Sequence, residues 1–160
     1  MFARLFIDSG EFARNGKELS GVAPVAELSR LHDKLANLEG VVRYTLCGET
    51  EDDRAFLSLA LSGQVNVQCQ RCLGDYSLPL ELSARFLLLA AGDMDEYDTE
   101  LDLECIEMAE RLDVFALIED EILLGLPFAA KHPEGVCKLD DGNSQRADTP
   151  FAVLANMIVR

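Results

Sequence analysis

The chain has 160 residues, enough for one ordinary domain with a buried core. Apolar residues make up 49% of it and charged residues 27%, which excludes an intrinsically disordered chain. With 29 acidic and 14 basic residues, the formal net charge of −15 argues against a broadly basic nucleic-acid-binding surface and favours a basic protein partner, although solubility alone also accounts for it.

The N-terminal sequence predicts a cytoplasmic protein without membrane contact. No basic region precedes a long apolar stretch, so we expect no secretory signal. The longest apolar run, Phe86–Ala91, is too short to span a bilayer. The odd number of cysteines favours reduced thiols over a disulfide framework. They are Cys47, Cys69, Cys72, Cys105 and Cys137.

The first forty residues predict a short strand at Ala3–Ile7 and a helix at Pro24–Leu38. Pro24 suits the first turn of that helix, and Gly40 suits its end. The helix prediction rests on apolar residues at helical spacing, namely Val25, Leu28, Leu31, Leu35 and Leu38.

Strict alternation of apolar and polar residues predicts three strands in the middle of the chain, near residues 42–47, 57–69 and 76–88. The last two are joined by a hairpin that carries Cys69 and Cys72. One-sided alternation favours an antiparallel sheet that has helices on one face. We therefore predict the α+β class, with an antiparallel β-sheet and a few packed helices in a single domain.

The acidic stretch at residues 93–104 is predicted to be a solvated loop. Within and just after it, Leu101–Cys105 could pair as an edge strand. Asp113 is predicted to cap a helix that runs to Gly125 and is stopped by Pro127. The buried stripe of this helix is predicted to comprise Val114, Leu117, Ile118, Ile122 and Leu126.

The end of the chain changes character at residue 138. We predict an α+β domain over residues 1–137, followed by a polar linker and a short C-terminal helical segment over 138–160. Thr149 suits the cap of that helix, and its apolar face contains Phe151, Leu154 and Ile158. A helix this short is marginal alone, so it requires a surface to dock on.

Two thiols in a C-x-x-C turn can point at one metal ion, and His132 with Cys137 could complete a Cys3His zinc site with Cys69 and Cys72. The alternative is that Cys69 is a small core residue and the others are unrelated. A redox pair belongs at a helix N-terminus, whereas this pair lies between strands.

Catalytic residues are not indicated. His32 lies among charged residues on a predicted helix surface, and the chain contains no Gly-rich phosphate loop, H-E-x-x-H or G-x-S-x-G. The run Glu119-Asp120-Glu121 forms either a solvated face or an acidic surface for a basic partner, with Glu121 beside the buried stripe.

Two segments resemble motifs of the YceD family, whose members are also called large ribosomal RNA subunit accumulation proteins. Val65–Cys72 is similar to its C-x-R-C strand and turn, and Glu119–Pro127 resembles its E-D-x-I-L-L-x-L-P helix. The residues at these motif positions are Cys69, Arg71, Cys72, Glu119, Asp120, Leu126 and Pro127.

Two further features extend the resemblance over most of the chain. His132 and Cys137 stand where many relatives carry a His or Cys pair, and Pro150–Leu154 matches the P-F-A-V-L ending of the proteobacterial branch. The resemblance implies a non-enzymatic role in accumulation of large-subunit (23S) ribosomal RNA, in a family whose gene commonly neighbours one for a large-subunit ribosomal protein.

The resulting hypothesis is an assembly factor that binds a basic ribosomal protein or a large-subunit precursor particle. Glu119, Asp120, Phe151 and Leu154 are the candidate partner-binding residues. Three alternatives stay open. The first is an RNA-binding module that uses Arg43, Arg71 and Arg85, and the second is a metal-dependent nuclease or redox enzyme. The third is a purely structural zinc module.

Overall fold

The computed structural model describes residues 4–93 and 104–137. Their architecture confirms the predicted α+β class, since a five-stranded sheet packs against two helices and two 3-10 turns. The elements in chain order are β1 Phe6–Ile7, α1 Ser9–Arg14, β2 Glu18–Pro24, the 3-10 turns Val25–Glu27 and Ser29–Leu31, β3 Val41–Glu51, β4 Arg54–Gln68, β5 Asp75–Leu89, β6 Glu104–Glu107, β7 Leu112–Asp113 and α2 Val114–Gly125.

The sheet has the order β2-β3-β4-β5-β6, and only the pairing of β5 with β6 is parallel. A separate antiparallel pair joins β1 to β7. The two long strands β4 and β5 are each 15 residues long and pair along almost their whole length. They set the position of the hairpin that connects them.

The register places the predicted apolar parity on one face of the sheet. Tyr44 pairs with Leu61, which in turn pairs with Leu82, so three neighbouring strands direct alternate side chains to the same side. The buried residues of this face confirm the alternation that the sequence shows. They are Val42, Tyr44, Leu46, Leu57, Leu59, Leu61, Val65, Val67, Leu80, Phe86 and Leu88.

Both helices contribute to the same core. Asp113 caps α2 as predicted, because its carboxylate accepts hydrogen bonds from the backbone N–H groups of Phe115 and Ala116. The predicted stripe of α2 is buried from Val114 to Ile122. Helix α1 packs closely on β3, where a Cβ at Gly48 would collide with the carbonyl oxygen of Phe12.

The predicted helix at Pro24–Leu38 is wrong. Pro24 ends the edge strand β2, and the chain then forms two 3-10 turns separated by Leu28, whose φ of −88° and ψ of 75° are not helical. The apolar spacing is still used, since Val25, Leu28 and Leu31 are fully buried. Successive tight turns bury residues three apart just as a helix does, which is why periodicity misled the prediction.

The N-terminal and acidic segments were predicted less completely. Helix α1 and strand β2 were missed, whereas β1 falls inside the strand predicted at residues 3–7. The predicted edge strand is observed as β6, which begins at Glu104. The acidic stretch is described only at its two ends, and the linker and C-terminal helix predicted for residues 138–160 lie outside the described residues.

Candidate metal centre

The β4–β5 hairpin folds its two cysteines into one tight turn. Cys69 directly follows β4, and its backbone N–H donates to the carbonyl of Gly74 at 2.9 Å. Its carbonyl accepts the N–H of Leu73 at 2.9 Å. Leu73 has a φ of +61°, which lets the chain reverse without extending the loop. The two thiols therefore face the same side of the hairpin.

Residues 126–137, here called the 126–137 arm, bring the other two candidate ligands to this hairpin. The arm begins where α2 ends at Gly125 and contains the predicted helix-stopping Pro127. The carbonyl of Ala130, a buried residue, accepts the backbone N–H of Gln70 at 2.8 Å. This bond fixes the arm against the hairpin two residues before His132.

The structure brings all four predicted ligands together. The ligand atoms of Cys69, Cys72, His132 and Cys137, here called the Cys3His cluster, lie within 4.8 Å of one another. The Cys69 and Cys137 sulfurs are 3.7 Å apart, and Nδ1 of His132 lies 3.3 Å from the sulfur of Cys72 and 3.6 Å from that of Cys137.

These separations suit a tetrahedral metal site. Metal–sulfur bonds of about 2.3 Å and metal–nitrogen bonds of about 2.0–2.1 Å give edges of about 3.8 Å between sulfurs and about 3.5 Å between sulfur and nitrogen. The three cysteines of the cluster are not joined by a disulfide, which requires a sulfur separation of about 2.05 Å. The cluster can therefore hold a metal ion.

The turn supplies N–H donors that favour a thiolate at Cys69. Burial opposes ionisation of this thiol, but hydrogen bonds from the backbone N–H groups of Cys72, His132 and Arg71, aided by the thiol of Cys137, outweigh it. Together they hold the pKa of Cys69 at about 5. Burial and the neighbouring sulfurs raise the pKa of Cys137. A cation between them would favour the ionised form of both.

In the metal-free protein, Cys69 is expected to ionise as the pH rises through about 5, well below its usual value of 9.0. Between these two values the folded state binds fewer protons than the unfolded chain, so the free energy of unfolding should rise with pH over this range. This contribution of Cys69 is lost as the pH falls through about 5. Ultraviolet absorbance of thiolates measures this directly. A wild-type step near pH 5 that is missing in Cys69→Ser is expected; a first thiolate appearing only at the usual pKa would contradict it.

Tyr76 is a neighbour of the cluster that the sequence pattern did not identify. Its ring lies 4.7 Å from the ring of His132, centroid to centroid, and it packs against the core from β5. Contact between the two rings restricts the orientations that the imidazole can adopt. The only sequence signal for it was the position of Tyr76 on the apolar parity of β5.

The acidic run on α2 does not form one continuous surface. Glu119 was predicted as an exposed partner-binding residue, but it is 2% exposed and accepts the backbone N–H of Arg30 at 3.0 Å. Asp120 remains half-exposed and pairs with the guanidinium of Arg30. Glu121 is partly buried, and burial together with the charges of Glu104 and Asp120 raises its pKa.

The arginines suggested for RNA binding do not form a basic patch. The guanidinium of Arg85 pairs with Glu49 at 3.3 Å and with Glu51 at 2.7 Å. Arg43 lines the same surface depression as Glu81 on the outward face of the sheet. Arg71 lies apart from both, in the β4–β5 hairpin. Carboxylates therefore offset the positive charge of this face.

The remaining candidate residues lie away from the cluster or beyond the described part of the chain. His32 is exposed, as predicted, and its Nε2 lies 3.1 Å from the carbonyl oxygen of Ala26. Phe151 and Leu154, the C-terminal candidates for partner binding, lie outside the described residues. Within the part of the chain that the structure describes, no helix is long and apolar enough to cross a membrane.

Known proteins resemble the chain over most of its length. The family model described as large ribosomal RNA subunit accumulation protein YceD matches residues 57–157, a range that contains the whole Cys3His cluster and both motif segments. A Haemophilus influenzae protein named large ribosomal RNA subunit accumulation protein YceD is 25% identical over 168 aligned residues, which cover 96% of this chain and 94% of that protein. No solved structure matches the chain.

Proposed function

Because the chain belongs to the YceD family of large ribosomal RNA subunit accumulation proteins, we propose that it is a non-enzymatic factor that supports accumulation of large-subunit ribosomal RNA. The family match is the observation that carries this proposal. It extends from β4 through the hairpin, α2 and the 126–137 arm, so the same segments that build the metal centre carry the family resemblance.

Zinc is the metal that the Cys3His cluster would hold. Three thiols and one imidazole are the donor set of structural zinc sites, and softer sulfur ligands disfavour magnesium or calcium. Four protein ligands leave no open coordination position for water or substrate. The ion would therefore tie the hairpin to the 126–137 arm, and this closed site argues against a metal-dependent nuclease.

A basic ribosomal protein, or a precursor particle that contains one, is the partner that the charge favours. The chain carries a formal net charge of −15. A field of this sign attracts a basic protein and repels a phosphate backbone. Glu49 and Glu51 pair with Arg85, and Glu81 lines the same depression as Arg43, so carboxylates offset the positive charge on the outward face of the sheet.

Affinity purification of the tagged protein from its own cells, with and without RNase, tests the partner. We expect large-subunit ribosomal proteins to be recovered under both conditions, and recovery to fall when the half-exposed Asp120 is changed to Lys. Partners that disappear after RNase treatment would instead indicate direct RNA contact. In that case, affinity for purified RNA should fall steeply with salt concentration.

Recovery of no ribosomal component under either condition would contradict the binding mechanism. Purified protein should also show no turnover of RNA or of thiol substrates. An activity that is lost in Cys72→Ser would overturn the non-enzymatic part of the proposal.

A further inference from the structure

A groove of about 680 Å³ lies beside the metal centre, between the end of α2 and the turn at residues 33–36. Its lining includes Val67 together with Gln68 and Gln70, which flank the ligand Cys69. Thirteen described residues line it, and eight of them are apolar. They are Leu35, Ala36, Val67, Leu123, Leu126, Pro127, Phe128 and Ala130.

Part of the apolar wall of this groove is open to solvent. The side chain of Phe128, which lines the groove, is fully exposed, and that of Leu124, which lies outside the lining on the adjoining turn of α2, is 73% exposed. Leu126 and Pro127 belong to the family motif at the end of α2. A concave surface with a cluster of exposed aromatic and aliphatic side chains is more often a binding site than a surface left open to solvent.

The charges of the groove favour an uncharged occupant. Its cation, Lys34, already pairs with Asp33 at 2.8 Å, so these two charges offset each other. Among the residues that the structure describes, Asp75 is the remaining charged residue of the lining. One carboxylate beside an apolar groove gives little complementarity to a strongly basic partner.

We propose that this groove binds residues 150–158 of the same chain. The nine residues carry no charge and include Phe151, Leu154 and Ile158 at helical spacing, which supplies one apolar face. The family match continues to residue 157, so this segment belongs to the same family unit as the groove.

The chain is long enough for this contact, and it starts in the right place. The described residues end at Cys137, in the Cys3His cluster. Gln70, which lines the groove, is hydrogen-bonded to the 126–137 arm that carries Cys137. Residues 138–149 can span up to about 40 Å when extended and about 20 Å as a flexible coil. A tether of this length gives an effective concentration on the order of millimolar, which favours the chain's own segment over a second copy.

A photo-cross-linker placed at the groove tests the proposal in the full-length protein. Phe128 is replaced by p-benzoylphenylalanine, which its full exposure should tolerate, and the irradiated protein is digested with trypsin. Residues 147–160 form a single tryptic peptide, because Arg146 and Arg160 bound a stretch without Lys or Arg. We expect most cross-links to join Phe128's position to this peptide.

Two controls give the result its meaning. The same cross-linker at Val22, an exposed residue of the edge strand β2 that does not line the groove, should leave this peptide unlinked. In a chain carrying both Phe151→Ser and Leu154→Ser, the yield of this cross-link should fall by about tenfold or more.

Mixing equal amounts of isotope-labelled and unlabelled protein identifies the occupant. Cross-links within one isotopic species support the proposal. Mixed species would show that a second copy fills the groove, and cross-links elsewhere, or none to this peptide, would show that the segment does not bind there; each of these results overturns it. The proposal does not depend on the ribosomal partner, so its failure would leave the proposed function standing.

Discussion

Cys72→Ser is expected to abolish stoichiometric zinc binding and to lower the thermal unfolding midpoint by roughly 8–16 °C. With zinc at about a thousand times its dissociation constant, a bound ion contributes about 4 kcal/mol to the folded state. For a chain of this size, each kcal/mol shifts the midpoint by roughly 2–4 °C. The sulfur of Cys72 lies 3.3 Å from Nδ1 of His132, so its loss should loosen the contact of this part of the 126–137 arm with the hairpin.

Metal content and thermal denaturation, each with and without a chelator, measure this effect. The chelator should reproduce the shift in the wild-type protein and have no effect on Cys72→Ser. Cys47→Ser is a matched control, because Cys47 is a free thiol on β3 outside the cluster and burial together with Glu18 and Glu49 raises its pKa. If Cys72→Ser keeps its zinc, or if the wild-type protein never takes up metal, the proposed site is wrong.

The secondary-structure elements that could be predicted from sequence are those whose pattern of apolar residues fits only one type of element. The alternation of Leu57, Leu59 and Leu61 fits only a strand, and the register confirms it. The spacing of Val25, Leu28 and Leu31 fits both a helix and successive 3-10 turns. Tertiary contacts decide between them, since Glu119 holds the backbone of Arg30 in the second turn.

The sequence predicted which four residues could form the metal centre, but it did not show that they lie close together in the fold. Cys69 and His132 are 63 residues apart, and only the packing of the arm on the hairpin shows that they meet. The backbone donors to Cys69 and the ring of Tyr76 depend on that same packing. Sequence identified which residue types suit the site, whereas the fold supplies their common position.

Glu119 shows the opposite case, in which a motif residue has a different role from the one its chemistry suggested. A carboxylate in an acidic run is typical of an exposed surface, yet Glu119 lies on the buried side of α2 with Val114, Leu117 and Ile118. Its oxygen accepts the N–H of Arg30, and the neighbouring Asp120 pairs with the guanidinium of the same arginine. Two successive residues of α2 therefore hold the 3-10 turn Ser29–Leu31 in place.

Glu119→Ala is expected to destabilise the protein by about 3 kcal/mol. It leaves the partly buried N–H of Arg30 without its acceptor, at a cost of about 1–3 kcal/mol, and it removes packed methylenes worth about 0.8 kcal/mol each. The unfolding midpoint should fall by roughly 6–12 °C. Glu119→Gln keeps a carbonyl acceptor and should recover most of this loss. Asp120→Ala removes only a solvent-screened ion pair, so it should cost less than about 1 kcal/mol.

Denaturant or thermal unfolding of these three variants, together with partner recovery for Glu119→Ala and Asp120→Lys, separates a structural role from a binding role for the Glu119–Asp120 pair. If Glu119→Ala unfolds at the same temperature as the wild-type protein but no longer recovers its partner, the carboxylate of Glu119 binds the partner. Its contact with Arg30 would then not be needed for stability. If Glu119→Ala is unstable and Asp120→Lys alone weakens partner recovery, then one residue of the motif anchors the turn and the other faces the partner. The burial of Glu119 beside a half-exposed Asp120 favours this second outcome.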